Sequence, residues 1–450
     1  MPSQYVIIGN GAAGVSAAET IRGQDETGRI TIISDEPYPL YSRPGIAYLI
    51  LDQIDEKQIF SRKPAFYEQN RFELLYGRVS KIDPLAQRLV MSDGKLIPYD
   101  VLLLAVGAGP VPAPFPGADL EGVVSFDTLQ DVHRVKKLAR KARQAVVVGG
   151  GITAMELAEG FNHHRVRTHI LQRGTRIWPR LFNQAESDII EQQIRHEGIQ
   201  VHYREEVAEA IGRRGKVAAV RLKSGQEMKC QLIGVAIGVR PNLALVRELP
   251  IETDRGILVD EYMQTSCANI FAAGDVAQVY DRWTQAHHLD ILWPSAISEG
   301  RQAGYNMVAV ARGQGQPQMY QKGSPFNAAM LFGLHVTVIG RMGEGEAEDN
   351  TEVGYLSRGS SHVWTAPFST QFRSAYDRNG PASLRLVISD SRIVGALLIG
   401  NQQLADTIRD LVEKEVNIKP IEEHLLSGNY PLPELLQAVA RQREMAFSRS

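Results

Sequence analysis

The sequence predicts an α/β fold with two parallel-sheet units, each opened by an apolar strand, a glycine-rich loop and a helix, followed by an α+β module. Three observations carry this reading. Tyr5-Val6-Ile7-Ile8 is an apolar, β-branched run of the kind buried in parallel sheets, and Gly9-Asn10-Gly11-Ala12-Ala13-Gly14 with a helical stretch at 15–22 follows directly. The pattern recurs 140 residues later as Ala145-Val146-Val147-Val148, then Gly149-Gly150-Gly151-Ile152-Thr153-Ala154 and a helix through Phe161. Beyond a Gly- and Gln-rich linker at 312–317, strand signals at 335–339, 383–388 and 393–399 precede helical signals at 402–416 and 431–445. Asp390-Ser391 is the turn expected between the last two strands.

Each glycine has a physical task in such a loop. Gly9 permits the tight turn, Gly11 lets a pyrophosphate approach the backbone, and Gly14 lets the helix pack closely. The helix N-terminus offers free N–H groups and a positive dipole end to the phosphates. The second strand, 29–34, ends at Asp35-Glu36, placing Glu36 22 residues after Gly14, where an acid binds a ribose hydroxyl. In the second unit the strand 166–171 leads to Gln172. Two Rossmann-like units in one chain imply two dinucleotides, one a tight flavin and the other a diffusible nicotinamide. The inserted unit carries further elements, a helix at 185–197 and a strand at 217–223.

Composition bounds the alternatives. The 450 residues correspond to about three domains. The 49 Lys+Arg against 51 Asp+Glu leave no whole-chain basic footprint for nucleic acid. Two cysteines, Cys230 and Cys267, lie far apart, which argues against a disulfide framework, a zinc site or a Cys-x-x-Cys centre. Redox chemistry must then come from a cofactor, and both thiols are expected to be inert and packed. The N-terminal segment lacks basic residues and is broken by glycines, so it fails as a signal peptide. Apolar runs such as 101–106 fall short of the ~20 residues of a membrane span. A cytoplasmic location is the expectation.

Further motifs make the sequence resemble the two-dinucleotide flavoprotein reductases, or pyridine nucleotide-disulfide oxidoreductases, over residues 4–310. Tyr99-Asp100-Val101-Leu102-Leu103-Leu104-Ala105-Val106-Gly107 is similar to a family segment with Thr where Val106 stands. Val235-Ala236-Ile237-Gly238-Val239-Arg240-Pro241-Asn242 resembles the segment closing the nicotinamide domain. Ile270-Phe271-Ala272-Ala273-Gly274-Asp275-Val276 resembles the flavin motif whose aspartate, here Asp275, bonds the ribityl chain. The resemblance implies an FAD domain at 1–115 and 251–312, an NAD(P) domain inserted at 116–250, and a C-terminal α+β dimerisation domain at 320–450. It carries FAD contacts onto Gly9, Gly11, Ala13, Gly14, Glu36, Arg43, Val79, Ala105, Gly107, Gly274, Asp275, Trp293 and Ala296. Nicotinamide contacts fall on Gly149, Gly151, Ala154, Glu156, Gln172, Arg173, Arg176 and Gly238, with Glu156 placed to orient the amide.

Departures from the family pattern shape the chemistry. Pro39-Leu40-Tyr41-Ser42-Arg43-Pro44-Gly45-Ile46 contains no cysteine, and Pro44 stands where relatives carry a single redox cysteine. The segment is similar instead to the branch serving a separate acceptor: ferredoxin- and rubredoxin-reductase-like proteins and the flavin portion of assimilatory nitrite reductases. Arg43 matches an arginine of that branch and is expected to address flavin phosphate or ring edge. Gly45-Ile46-Ala47 lacks that branch's Leu-Ser-Lys, so its flavin-side lysine is missing. Trp293-Pro294-Ser295-Ala296 opens a helix, 297–307, whose N-terminus is expected to stabilise charge on the flavin pyrimidine. Gln172 without a carboxylate, Ala154, Arg173 and Arg176 favour NADPH over NADH.

His163-His164 and His287-His288 lack spaced partners and read as solvated histidines, with no metal; His287-His288 and Asp290 border the acceptor approach. Leu435, Leu436, Val439 and Met445 mark a packing or dimer face on the last helix. The implied function is an FAD-dependent NAD(P)H oxidoreductase passing electrons to an external redox protein or small molecule, without a redox-active cysteine. Alternatives are an oxidase using dioxygen, and a non-catalytic flavoprotein subunit or redox sensor docking on a larger complex.

Overall fold

In the computed structural model the N-terminal apolar run is the central strand of a five-stranded parallel sheet. Its order is Ile270–Ala272, Val101–Leu104, Gln4–Ile8, Arg29–Ser34 and Phe72–Tyr76. Both faces of the inner strands are covered, which is why they read as unbroken apolar runs. The structure describes residues 2–179, 181–281, 285–313, 315–342, 352–357, 360–365, 372–429 and 431–447, without the side chains of 352–365 and 440–447. They form two compact units, one of 1–110, 127–129 and 239–322, the other of 111–126, 130–238 and 323–450.

Two helices of the first unit run side by side in the same direction, Ala12–Gln24 and Trp293–Arg312. A Cβ on Gly300 would lie 2.1 Å from the Ala13 carbonyl oxygen, and one on Gly304 would lie 2.6 Å from that of Ala17. The pair therefore touches backbone to backbone, a contact that only small residues allow. The second helix starts at Trp293 with Pro294 in its first turn, as expected, runs past the expected end at 307 and stops at a left-handed Gly313. This unit also contains two smaller three-stranded sheets, Val79–Asp83 with Arg88–Met91 and Leu96–Pro98, and Ile257–Leu258 with Ala277–Asp281 and Ala286–Leu289.

The second unit contains another five-stranded parallel sheet, ordered Gln200–Tyr203, Arg167–Gln172, Gln144–Val148, Leu232–Val235 and Val123–Val124. It also contains an antiparallel sheet ordered Phe326–Leu331, Leu334–Gly340, Arg392–Ile399, Ala382–Ser389 and Arg373–Asn379. Asp390 and Ser391 both take positive φ, the geometry of a two-residue hairpin turn. The helix expected at 402–416 is shorter, Ala405–Glu413, because Glu415 adopts positive φ and breaks it. On the helix Leu432–Phe447, Leu432 and Leu436 are buried and Leu435 and Val439 pack on the same core, so this is a packing face. The Met445 side chain lies outside the described residues. Arg385 and Glu186 form a buried ion pair at 2.8 Å joining the antiparallel sheet to the helix Gln184–His196. Among the described residues no helix is long and apolar enough to cross a membrane.

Candidate functional site

In the first unit the expected residues gather at the carboxyl ends of the parallel strands, where ligands of such sheets bind. Gly9 follows Ile8, Glu36 follows Ser34, Ala105 follows Leu104, and Gly274 follows Ala272 by one residue. Gly9 has φ +120°, and a Cβ there would meet the Ala105 carbonyl oxygen at 2.0 Å. A Cβ on Gly14 would lie 2.0 Å from the Gly9 carbonyl oxygen, so the turn and the helix lock one another. Over Gly11 and Gly107, by contrast, a Cβ would find no atom within 4 Å. Gly274, at φ +79°, brings the two helices together, since its Cβ would lie 3.0 Å from Ala13 Cβ and 3.6 Å from Ala296 Cβ. Neither helix start carries a side-chain cap, leaving backbone donors for an anion. Asp275 and Trp293 are half-buried beside this junction, and Val79 is buried at the start of its own sheet. The open cradle over Gly11 and the two uncapped helix starts fit an FAD pyrophosphate and isoalloxazine.

Glu36 and Arg43 meet in a charged net. Arg43 Nη2 donates to Glu36 Oε1, and its Nη1 donates to the Asp127 carbonyl oxygen at 3.0 Å and Oδ2 at 3.2 Å. Tyr41 Oη donates to Glu36 Oε2 at 2.6 Å, and the guanidinium carbon lies 5.6 Å from the Tyr41 ring centroid. Burial opposes the charge on Arg43, but Tyr41, Asp127, Glu36 and Asp275 outweigh it and hold the guanidinium more firmly protonated than usual. Arg43 thus orders Glu36 and Asp127, a role that its expected contact with flavin does not describe. The Tyr41 phenol is pushed up by burial.

The second unit repeats the plan. Gly149 has φ +132° and its Cβ would lie 2.0 Å from the Ala236 carbonyl oxygen. Gly151 is the uncapped start of the helix Ile152–His163, Ala154 is fully buried in its first turn, and Glu156 is half-buried one turn on. Gly238 takes φ +113° after the strand Leu232–Val235. Gln172 is buried against the loop, its Cδ 2.9 Å from where a Gly150 Cβ would stand, and its Nε2 has no hydrogen-bond partner. Arg173 is exposed. Arg176 is turned into its own loop, donating to the Phe182 carbonyl oxygen, to Ser187 Oγ at 3.1 Å and to the Pro179 carbonyl oxygen at 3.1 Å.

A sequence profile described as pyridine nucleotide-disulphide oxidoreductase matches residues 3–289. The chain belongs to this family. It is 26% identical over 419 residues to "Nitrite reductase [NAD(P)H]" of Bacillus subtilis (strain 168), covering 92% of this chain and 48% of that protein. The chain thus spans about half the length of that relative. It is 28% identical over 414 residues to "NADH oxidase" of Methanocaldococcus jannaschii, covering 90% of this chain and 89% of the relative. The crystal structure of a ferredoxin reductase for the CYP199A2 system from Rhodopseudomonas palustris has the same fold, with TM-score 0.82 and 21% identity over 97% of this chain and 99% of that one.

Both cysteines are free and packed against apolar cores. Cys230 is fully buried and burial pushes its thiol up to about 12, while burial also raises Cys267. His288 is pushed down to about 4, first by burial and then by Lys322, whereas His287 is exposed with its Nε2 3.2 Å from the Val259 carbonyl oxygen.

Sequence reasoning passed over Glu299, Asp281 and Lys322, which form a buried polar group beneath Gly274 together with Asp290, a residue expected to border the acceptor approach. Glu299 Oε2 accepts from the Gly274 N–H at 2.8 Å. The signal was present, because Glu299 lies at helical spacing from Ala296 and Ala303 on the face that carries Gly300.

Proposed function

We propose that the protein is an FAD-dependent oxidoreductase that takes electrons from NAD(P)H and delivers them to an external acceptor without a redox-active cysteine. The observation that carries this is the pair of glycine turns, each closed against a carbonyl at the carboxyl end of a parallel sheet. FAD, when bound, would supply the redox centre. Gly9, Gly11, Ala13 and Gly14 would hold its pyrophosphate, Glu36 its ribose, and Val79, Ala105, Gly107, Gly274 and Asp275 the remainder. Trp293 and Ala296 would place a positive helix end at the pyrimidine. Gly149, Gly151 and Ala154 would hold the nicotinamide dinucleotide, with Glu156 orienting its amide. Discrimination towards NADPH rests on Gln172 and Arg173, because Arg176 is engaged in its loop; the NADH oxidase relative supports use of NADH as well.

This reading includes an FAD domain at 1–115 and 251–312, an NAD(P) domain at 116–250 and a C-terminal domain at 320–450 that pairs two copies. The acceptor class is a small redox protein, supported by the fold shared with a ferredoxin reductase. A second reading, direct reduction of dioxygen, is favoured by the NADH oxidase relative. Anaerobic mixing with each nicotinamide should bleach the flavin band rapidly, and an iron–sulfur or rubredoxin-type protein should restore it faster than air does. Faster recovery in air, with NAD(P)H consumed, would favour the oxidase; flavin that no nicotinamide bleaches would overturn both.

A further inference from the structure

Beneath the Gly274–Asp275 turn lies a group that the proposed function leaves unused. Glu299, 1% exposed on the helix Trp293–Arg312, accepts from the Gly274 N–H through Oε2, while its Oε1 has no hydrogen-bond partner among the described residues. Three further carboxylates stand near it. Asp290 comes from the turn before the helix, Asp281 from the strand Ala277–Asp281, and Asp275 from the glycine turn. Asp290 Oδ2 accepts from Ser295 Oγ at 2.9 Å, and its Oδ1 is also without a partner. Among the described residues the cation paired with this group is Lys322, whose side chain is 2% exposed. Its Nζ lies 3.2 Å from Asp281 Oδ2 and 3.7 Å from Asp290 Oδ2, so two aspartates share it before Glu299 is reached. His288, from the strand Ala286–Leu289, is held uncharged by burial, and Tyr320 is held as the phenol by burial and these carboxylates. Among the described residues one ammonium thus serves three deeply buried acids, Asp281, Asp290 and Glu299, and it pairs with the two aspartates rather than with Glu299.

A buried carboxylate with one N–H donor and no cation of its own is far costlier than the neutral acid. We propose that Glu299 is a positioning residue of the flavin site, which retains a proton at neutral pH and fixes the Gly274–Asp275 turn as a neutral acceptor. The proposal rests on the reading of this unit as an FAD site. Burial, and next Asp290, act to keep the Glu299 proton in place, against the Gly274 N–H and Lys322. Neutrality here leaves the positive ends of both helices undiminished at the place where reduced flavin would carry negative charge.

Infrared spectroscopy of the purified protein tests the protonation directly. The expected result is a carboxylic-acid carbonyl band at neutral pH that shifts in heavy water and disappears in Glu299→Gln. Glu299→Gln exchanges one neutral acceptor for another, so it should keep its FAD and leave the flavin midpoint potential unchanged. Glu299→Leu, which strands the Gly274 N–H, should lose FAD on gel filtration. Absence of the acid band in the wild type, its persistence in Glu299→Gln, or a higher midpoint potential in that variant would overturn the proposal. Should Glu299→Gln fail to fold, Glu299→Asp is expected to move the acid band, and an unmoved band would overturn it equally. A protein that binds no flavin yet shows the Glu299 band would refute the FAD reading and keep the protonated acid.

Discussion

At Gly9 and at Gly149 an added Cβ would come within 2.0 Å of a carbonyl oxygen, that of Ala105 in one unit and of Ala236 in the other. The turns are near copies, but their surroundings differ. In the first unit Gly14 lies so close that its own Cβ would strike Gly9, while the second accommodates Ala154 at the same place. The first helix is braced along its length by Gly300 and Gly304 of a neighbour. Glu36 is held by Tyr41 and Arg43, whereas Gln172 keeps an unpartnered Nε2. The first loop is thus locked from several sides, whereas the second, held by Trp178 Nε1–H donating to the Gly150 carbonyl oxygen, is the more adaptable, which suits a resident dinucleotide in the first and an exchanging one in the second.

The largest expected effect comes from breaking the turns separately. Gly9→Ala combines a left-handed backbone with a clash against Ala105, costing about 2–4 kcal/mol. The purified variant should contain no flavin by absorbance. Gly149→Ala meets the same obstacle, yet it should retain flavin and lose reduction by NAD(P)H in stopped-flow traces.

The third position tests the asymmetry more gently. Gly14→Ala should lower the urea midpoint by about 1–3 kcal/mol of stability, whereas Ala154→Gly should cost about 0.5–1 kcal/mol through helix entropy alone. Equal losses would remove the distinction between a locked and an adaptable loop.

Nicotinamide choice gives a smaller effect. Arg173→Ala should reduce kcat/KM for NADPH relative to NADH by about tenfold, equivalent to ~1.4 kcal/mol. Arg176→Met should leave that ratio unchanged and lower stability by about 1–3 kcal/mol, as it strips donors from the Phe182 and Pro179 carbonyls. A further effect concerns pH. His288 takes up a proton near pH 4 in the folded chain against 6.5 for a free histidine. The unfolded chain therefore binds more protons between those values, and stability should fall as pH drops from 6.5 to 4. His288→Gln should flatten that part of the urea-midpoint profile.

Both parallel sheets were legible because buried strands followed by glycine turns leave a local signature, at residues 5–14 and again at 145–154. The strands Phe72–Tyr76, Phe326–Leu331 and Arg373–Asn379 escaped notice, since each lies at the edge of its sheet and buries a single residue, leaving no apolar run or clean alternation to read. Site residues on the glycine loops could be located from spacing alone. Asp127, Lys322 and Asp281 could not, because each acts across the fold on residues distant in sequence. Arg176 shows the reverse error: its place beside Gln172 suggested a phosphate, while its donors satisfy carbonyls of the following loop.

The contrast between the loops is tested most directly by cofactor retention. The purified protein should pass through gel filtration and prolonged dialysis with one FAD per chain, while added NAD⁺ or NADP⁺ washes away completely. Flavin that exchanges as freely as the nicotinamide, or a nicotinamide that stays while flavin leaves, would contradict the assignment of the locked loop to the resident cofactor.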